Sequence, residues 1–181
     1  MVVRVFNERG YEATSMEDLA RASGLTKSTF YHHVSGKEQL LRLAVGRALD
    51  ALSGVLDEPA AVHGPPAHRL EHVLRRTAQV LVAELPYVTL LLRVRGNTSA
   101  EREALRRRRE LDARVAAIVR EAAEAGQIRA DIDPRLATRL LFGMVNSMTE
   151  WYRPGASPTG GNDELSRAVV ELALDGLRAR G

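Results

Sequence analysis

SMEDLARASGLTKSTFYHHVSGKE, residues 15–38, decides how the rest of the chain is read. Ser15 is a hydroxyl helix cap, and Glu17 and Asp18 just behind it suit the positive end of a helix. Leu19, Ala20 and Ser23 follow at helical spacing. Gly24 takes readily to the left-handed backbone that closes a helix. Thr26 then recaps the chain for a second helix over Lys27 to His33. Two helices joined by so short a turn form a helix-turn-helix, whose second helix enters the DNA major groove.

The residue types of that second helix separate packing from reading. Phe30 and Val34 lie four apart and face a small core, with Leu19 and Leu25 behind them. Ala20 is small where the two helices cross. The other side offers Thr26, Lys27, Ser28, Thr29, Tyr31 and His32, polar groups that suit base edges and phosphates. No acid stands between Asp18 and Glu38, which suits a polyanion. The plain alternative is a capped helical hairpin with a solvated outer face.

The stretch GYEATSMEDLARASGLTKSTFYHHVSGKEQLL, residues 10–41, resembles the DNA-binding domain of TetR-type transcriptional regulators, and the likeness extends over residues 6 to 47. Gly10-Tyr11, Thr14-Ser15, Asp18-Leu19-Ala20, Gly24 to Lys27, Phe30 to His33, and Lys37-Glu38 before Leu40-Leu41 carry it. The resemblance implies that Thr26 to His32 form the recognition helix. It also implies that Tyr31, His32 and Lys37, with Thr14 or Ser15, touch the DNA backbone. Members of the family have a longer first helix with a basic arm, whereas here Val2 to Arg9 precede Gly10. A shortened first helix is expected on that comparison.

Composition narrows the remaining classes. The 181 residues carry a formal net charge of +3, too mild to identify a nucleic-acid binder by itself. A hydrophobic content of 45% excludes wholesale disorder. No apolar run long enough for a membrane helix occurs, and Arg4, Asn7 and Glu8 interrupt any signal-peptide core. With no cysteine there is no disulfide or thiolate metal site, and a cytoplasmic location is expected. Lys27 and Lys37 are the only lysines among 26 basic residues, a bias that suggests a GC-rich bacterial genome.

The rest reads as helix. Ser35 and Glu38 match a capping box that launches a helix through Leu56. Asp57 to Pro66, DEPAAVHGPP, is a breaker segment. Further helices are expected over Ala67 to Leu85, Tyr87 to Arg95, Ser99 to Ala125 and Asp133-Pro134 to Tyr152, and from Asp163 to Arg178. No strand pattern competes. The expected fold is all-α: a three-helix DNA-binding domain over residues 1–47, then an antiparallel helical effector-binding and dimerisation domain over 48–181.

The TetR resemblance implies a homodimer, a small-molecule effector and a palindromic double-stranded operator. Two recognition helices spaced by about 34–36 Å match successive major grooves. On a helical wheel, Leu140, Leu141, Met144, Met148 and Trp151 gather on one side, and Phe142, Asn146, Thr149 and Arg153 on the other. The dimer face is therefore assigned to Leu141, Met144, Met148 and Trp151, with Val169, Leu172 and Ala173 on the last helix. The effector site is placed between the helices that begin near Ala67, Tyr87, Ser99 and Pro134, on Val80, Tyr87, Leu91, Val115, Phe142, Asn146 and Thr149. Each apolar member of that set has a competing role as core. The stretch DIDPRLATRLLFGMVNSMTEWYRPG, residues 131–155, resembles regulators that sense acyl-CoA thioesters. Arg93, Arg95 and Arg153 would then pair with the ligand's phosphates.

Other patterns carry less. His68 and His72 match the H-x-x-E-H spacing of zinc peptidases, which keeps a zinc hydrolase as an alternative, but no third ligand is identifiable. Arg106 to Arg109 point in different directions on a helix among Glu101, Glu103, Glu110 and Asp112, as on a solvated face. No catalytic constellation, resident metal or cofactor is expected. An effector-independent activator or nucleoid protein is the other alternative.

Overall fold

The computed structural model describes residues 1–24, 27–153 and 162–177, apart from the side chains of Lys27, Tyr31, His33 and Asn162. Ten helices and no strand occur among the described residues: α1 (Val2–Arg9), α2 (Met16–Ser23), α3 (Lys27–His33), α4 (Lys37–Asp57), α5 (Pro59–Val62), α6 (Pro66–Ala83), α7 (Leu85–Arg93), α8 (Ser99–Glu124), α9 (Pro134–Trp151) and α10 (Asn162–Leu177). The expected all-α class is what the chain adopts. Among the described residues no helix is long and apolar enough to cross a membrane.

Local chemistry sets most of the ends. Ser15 caps α2 in a reciprocal capping box with Asp18. Gly24 closes α2 at φ 72°, the left-handed conformation that a side chain would strain. Asp133 caps α9 by accepting from the N–H groups of Arg135 and Leu136, with Pro134 at the first helical position. The breaker segment holds a single helical turn, α5, because Pro59 at its start has no N–H to leave unpaired.

One end corrects the sequence reading and another adds to it. Ser35 does not pair with Glu38: its N–H and hydroxyl both donate to Oε1 of Gln39, at 2.8 and 2.9 Å. The long helix α8 starts at Ser99 as expected, and Thr98 before it is the cap. Thr98 Oγ1 accepts from the Glu101 N–H, and the Glu101 carboxylate returns to the Thr98 N–H at 3.0 Å and the Arg95 N–H at 3.2 Å. Glu101 is 5% exposed, so its charge is spent on these backbone donors.

The chain groups into two compact units that are discontinuous in sequence. The first holds residues 1–50 and 84–107, and the second holds 51–83 and the chain from 108 onward. The first unit therefore adds α7 and the start of α8 to the N-terminal helices. Its core is built on Phe6, Leu19, Phe30, Leu41, Leu49, Val88 and Leu91, all buried. The second unit centres on Leu70, Val73, Leu74, Val115, Val119, Ala122 and Leu141, with Ala173 and Leu177 from α10. Burying a leucine of this kind stabilises by about 1.5–3 kcal/mol.

Candidate nucleic-acid interface

The expected DNA-contacting residues all belong to the first unit. Phe30 is buried at 4%, so the outward face of α3 is fixed by default. Ser28, Thr29 and His32 lie exposed on that face. Thr26 and the side chains of Lys27 and Tyr31, also assigned to DNA contact, lie outside the described residues. The second helix of the motif thus turns an aromatic inward and hydroxyl and imidazole groups outward, which is what groove reading requires.

Thr14 is a correction. It is only 2% exposed, and its hydroxyl donates to the Gly10 carbonyl at 2.6 Å, so its role is to fold the α1–α2 turn. Ser15 is exposed, but its hydroxyl donates to Asp18 Oδ2 at 2.6 Å and accepts from the Asp18 N–H. These two hydroxyls shape the start of α2 rather than standing free.

Asp18 ties that start together. The hydrogen bonds from the Ser15 hydroxyl and N–H, helped by Arg9 at 2.8 Å, hold its carboxyl below the usual carboxylate range. A carboxyl held low stabilises the fold above its ordinary value and loses that contribution as pH falls through the lowered value. Amide-exchange protection of residues 15–23 should therefore persist on mild acidification and drop only once Asp18 protonates. An Asp18→Ala chain with the same protection at neutral pH would contradict this.

Lys37, at the start of α4, has two structural partners. Its Nζ donates to the carbonyls of Tyr11 and Glu12 at 2.8 and 3.3 Å, and it lies 4.4 Å from the centroid of the Tyr11 ring. The ring of Tyr11 packs in turn on Phe6, 5.4 Å between centroids. The ammonium thus closes the α1–α2 turn beneath it. Sequence reasoning did not foresee this structural role, because the partners lie 25 and 26 residues away.

The residues assigned to the effector divide between the units. Tyr87, Leu91, Arg93 and Arg95 belong to the first; Val80, Val115, Phe142, Asn146, Thr149 and Arg153 belong to the second. Leu91 and Val115 are fully packed in their cores. Tyr87 serves α4: Arg47 stacks on its ring at 4.4 Å and forks onto Glu84 at 2.7 and 2.9 Å. Arg93 donates to the Asn7 carbonyl, and together with Arg95 and Arg9 it rims an open cleft of 730 Å³ beside Tyr11 to Ala13. Val80 and Phe142 are half-buried against the second core, and Asn146 and Thr149 are half-buried on the same helix as Phe142.

The dimer face assigned from the helical wheel needs correction as well. Leu141, Met148, Val169 and Ala173 are buried inside the second unit, and Met144 packs partly against its core. Trp151 and Leu172 are exposed, and so are Leu136 and Leu140. The wheel grouped Leu140 with Leu141 and Met148, yet these neighbours fall on opposite sides of the boundary between core and surface. As for the H-x-x-E-H pair, the Nε2 of His72 is within 2.6 Å of Glu58 Oε2 and His68 is exposed. Among the described residues no three metal-binding side chains converge.

Comparison with known proteins agrees with this architecture. Residues 3–44 match the bacterial regulatory proteins of the tetR family, and residues 63–177 match the tetracyclin repressor-like C-terminal domain. The chain is 28% identical over 176 residues to the HTH-type transcriptional repressor KstR2 of Rhodococcus jostii, covering 96% of this chain and 85% of that protein. It superposes with a TM-score of 0.92 on the crystal structure of SCO3833, a TetR transcriptional regulator family member from Streptomyces coelicolor, at 60% identity over 98% of this chain and 89% of that one. The crystal structure of AibR in complex with isovaleryl coenzyme A and operator DNA matches with a TM-score of 0.79 at 25% identity, covering 94% and 92% of the two chains. The chain belongs to the TetR family of bacterial transcriptional regulators.

Proposed function

We propose that this regulator is a homodimeric repressor that binds a palindromic operator and is released from it by a small acyl-CoA thioester. The observation that carries the DNA-binding half is α3 itself, with Phe30 buried and Ser28, Thr29 and His32 presented outward. Lys27 and Tyr31 join them as base-reading and backbone groups, and Lys37 adds a phosphate contact from the start of α4. The dimer is proposed to form through α9 and α10. Leu136, Leu140, Gly143, Ser147 and Trp151 are exposed along one side of α9, and Ala168, Leu172 and Gly176 along α10. Leu140 at 60% and Leu172 at 71% are too exposed, and too numerous with Trp151 and Leu136, for isolated surface residues.

The effector half is supported by AibR, whose structure holds isovaleryl coenzyme A together with operator DNA. KstR2, which the chain resembles along nearly its whole length, is a repressor. Phe142, Asn146 and Thr149 are the residues of α9 proposed to face the acyl group. Release requires that the ligand bind one dimer geometry better than the other, since equal affinity shifts nothing.

The test is fluorescence anisotropy with a palindrome from the gene's own promoter, titrated with acyl-CoAs from isovaleryl to palmitoyl. Tight binding that one chain-length class reverses at micromolar concentration is the expected result. Operator binding unaffected by every thioester, with no heat on calorimetric titration, would remove the acyl-CoA assignment while leaving the DNA reader standing.

A further inference from the structure

Lys37 and Glu38 are neighbours in the first turn of α4, yet they hold different elements. Lys37 closes the α1–α2 turn through the carbonyls of Tyr11 and Glu12. Glu38 instead reaches the N-terminus of α8, where Oε1 accepts from the Ser99 hydroxyl at 2.5 Å and the Ala100 N–H at 2.9 Å. Arg42, one turn further along α4, donates to the same Ser99 hydroxyl at 3.3 Å. All of these residues belong to the first unit.

The first N–H groups of a helix have no partner inside it. Thr98 serves the N–H of Glu101, and the N–H of Ala100 is left to Glu38. A carboxylate at the positive end of a helix makes charge-assisted bonds, which are the stronger kind. The bonds from Ser99 and Ala100 hold Glu38 below the usual carboxylate range, so it stays ionised through neutral pH. The cap of α8 is therefore completed by a residue 61 and 62 positions earlier in the chain. Because Glu38 holds both the Ser99 hydroxyl and the Ala100 N–H, the first turn of α8 is tied to the turn that carries Lys37.

We infer that Glu38 is a positioning residue for operator binding, fixing the first turn of α4 to the N-terminus of α8 so that Lys37 and the α1–α2 turn meet the DNA backbone in register. The inference rests on the proposed phosphate contact of Lys37. It also makes a prediction opposite in sign to simple electrostatics. A carboxylate beside a phosphate-binding lysine repels DNA, so removing its charge alone should tighten binding.

The experiment measures operator affinity of the full chain by fluorescence anisotropy across a series of salt concentrations. Glu38→Ala is expected to weaken operator binding about tenfold, the factor that about 1.4 kcal/mol makes. The slope of log K against log salt should become shallower by about 0.9 for each phosphate that the protein no longer neutralises. Glu38→Gln keeps an oxygen for Ser99 and Ala100 and should bind as tightly as the native chain or slightly more tightly. Loss of fold stability alone would lower the melting temperature without moving the salt slope of the folded protein.

Tighter binding in both variants would show that Glu38 acts only as a charge, and unchanged binding by Glu38→Ala would equally overturn the inference. Should Glu38→Ala fail to fold, Ser99→Ala decides. It keeps the Ala100 bond and should weaken binding about two- to threefold with a shallower slope, and unchanged values would overturn the inference. Lys37→Ala separates the two readings. If it leaves the salt slope untouched, the phosphate role of Lys37 is wrong. If it moves the slope while the Glu38 and Ser99 variants do not, the positioning role is wrong.

Discussion

Leu172→Arg is expected to yield a folded monomer that no longer distinguishes its operator from random duplex. Leu172 is 71% exposed in the single subunit, so the substitution removes no core packing and should change subunit stability by about 0.5 kcal/mol or less. In a two-fold dimer the same residue appears on both sides of the interface, so every substitution counts twice. Burying one leucine is worth about 1.5–3 kcal/mol, so the loss in dimerisation is about 3–6 kcal/mol before the cost of burying two unpaired guanidinium groups. That corresponds to a weakening of roughly a hundredfold to more than ten-thousandfold. Operator affinity should follow, because a lone recognition helix reads only one half-site. Sedimentation velocity gives the mass and anisotropy the preference. A dimer of native mass at low micromolar concentration would show that α9 and α10 are not the interface. Leu140→Arg, on the facing stripe of α9, should act in the same direction.

The second large effect is expected from Lys37→Ala. A lysine that only touched a phosphate would contribute one counterion's worth of salt dependence per subunit, a slope change of about 0.9. Lys37 also bonds two carbonyls of the α1–α2 turn and sits on the Tyr11 ring. Its removal therefore loosens the turn that leads into Ser15 and α2 as well as deleting a charge. Operator affinity should fall by about ten- to a hundredfold for the dimer, with a salt slope shallower by about 1.8 because one phosphate per subunit goes unneutralised. The loss should be the same for operator and non-operator DNA, since phosphate contacts carry no sequence information. A chain that loses affinity for its operator alone would mean that Lys37 reads bases.

The parts of the molecule legible in sequence are those decided within a few residues. Ser15 before Met16, Gly24 after the last helical residue, and Asp133 before Pro134 each satisfy a helix end with neighbouring atoms, and all appear as read. The direction of Phe30 followed from spacing alone. The α4 start was not legible in the same way. Glu38 and Gln39 both carry an oxygen able to return to Ser35, and nothing local chooses between them. The choice falls to Gln39 because the unpaired N–H of Ala100 and the hydroxyl of Ser99 compete for Glu38 from 62 and 61 residues away.

A similar limit applies to α9. A period of 3.6 residues shows that apolar side chains cluster, but Leu140 and Leu141 differ by only about 100° around the axis. Which of them is core depends on where α6 and α10 pack, and contacts with those helices bury Leu141 while leaving Leu140 at the surface. The ends of α2 and the start of α9, the reading motif and the all-α class were thus set by the order of amino acids alone, because capping and periodicity act over one or two turns. The partner of Glu38, the carbonyl bonds of Lys37 and the true outward face of α9 were decided only by tertiary structure, because each depends on a donor, acceptor or apolar surface delivered by a distant segment.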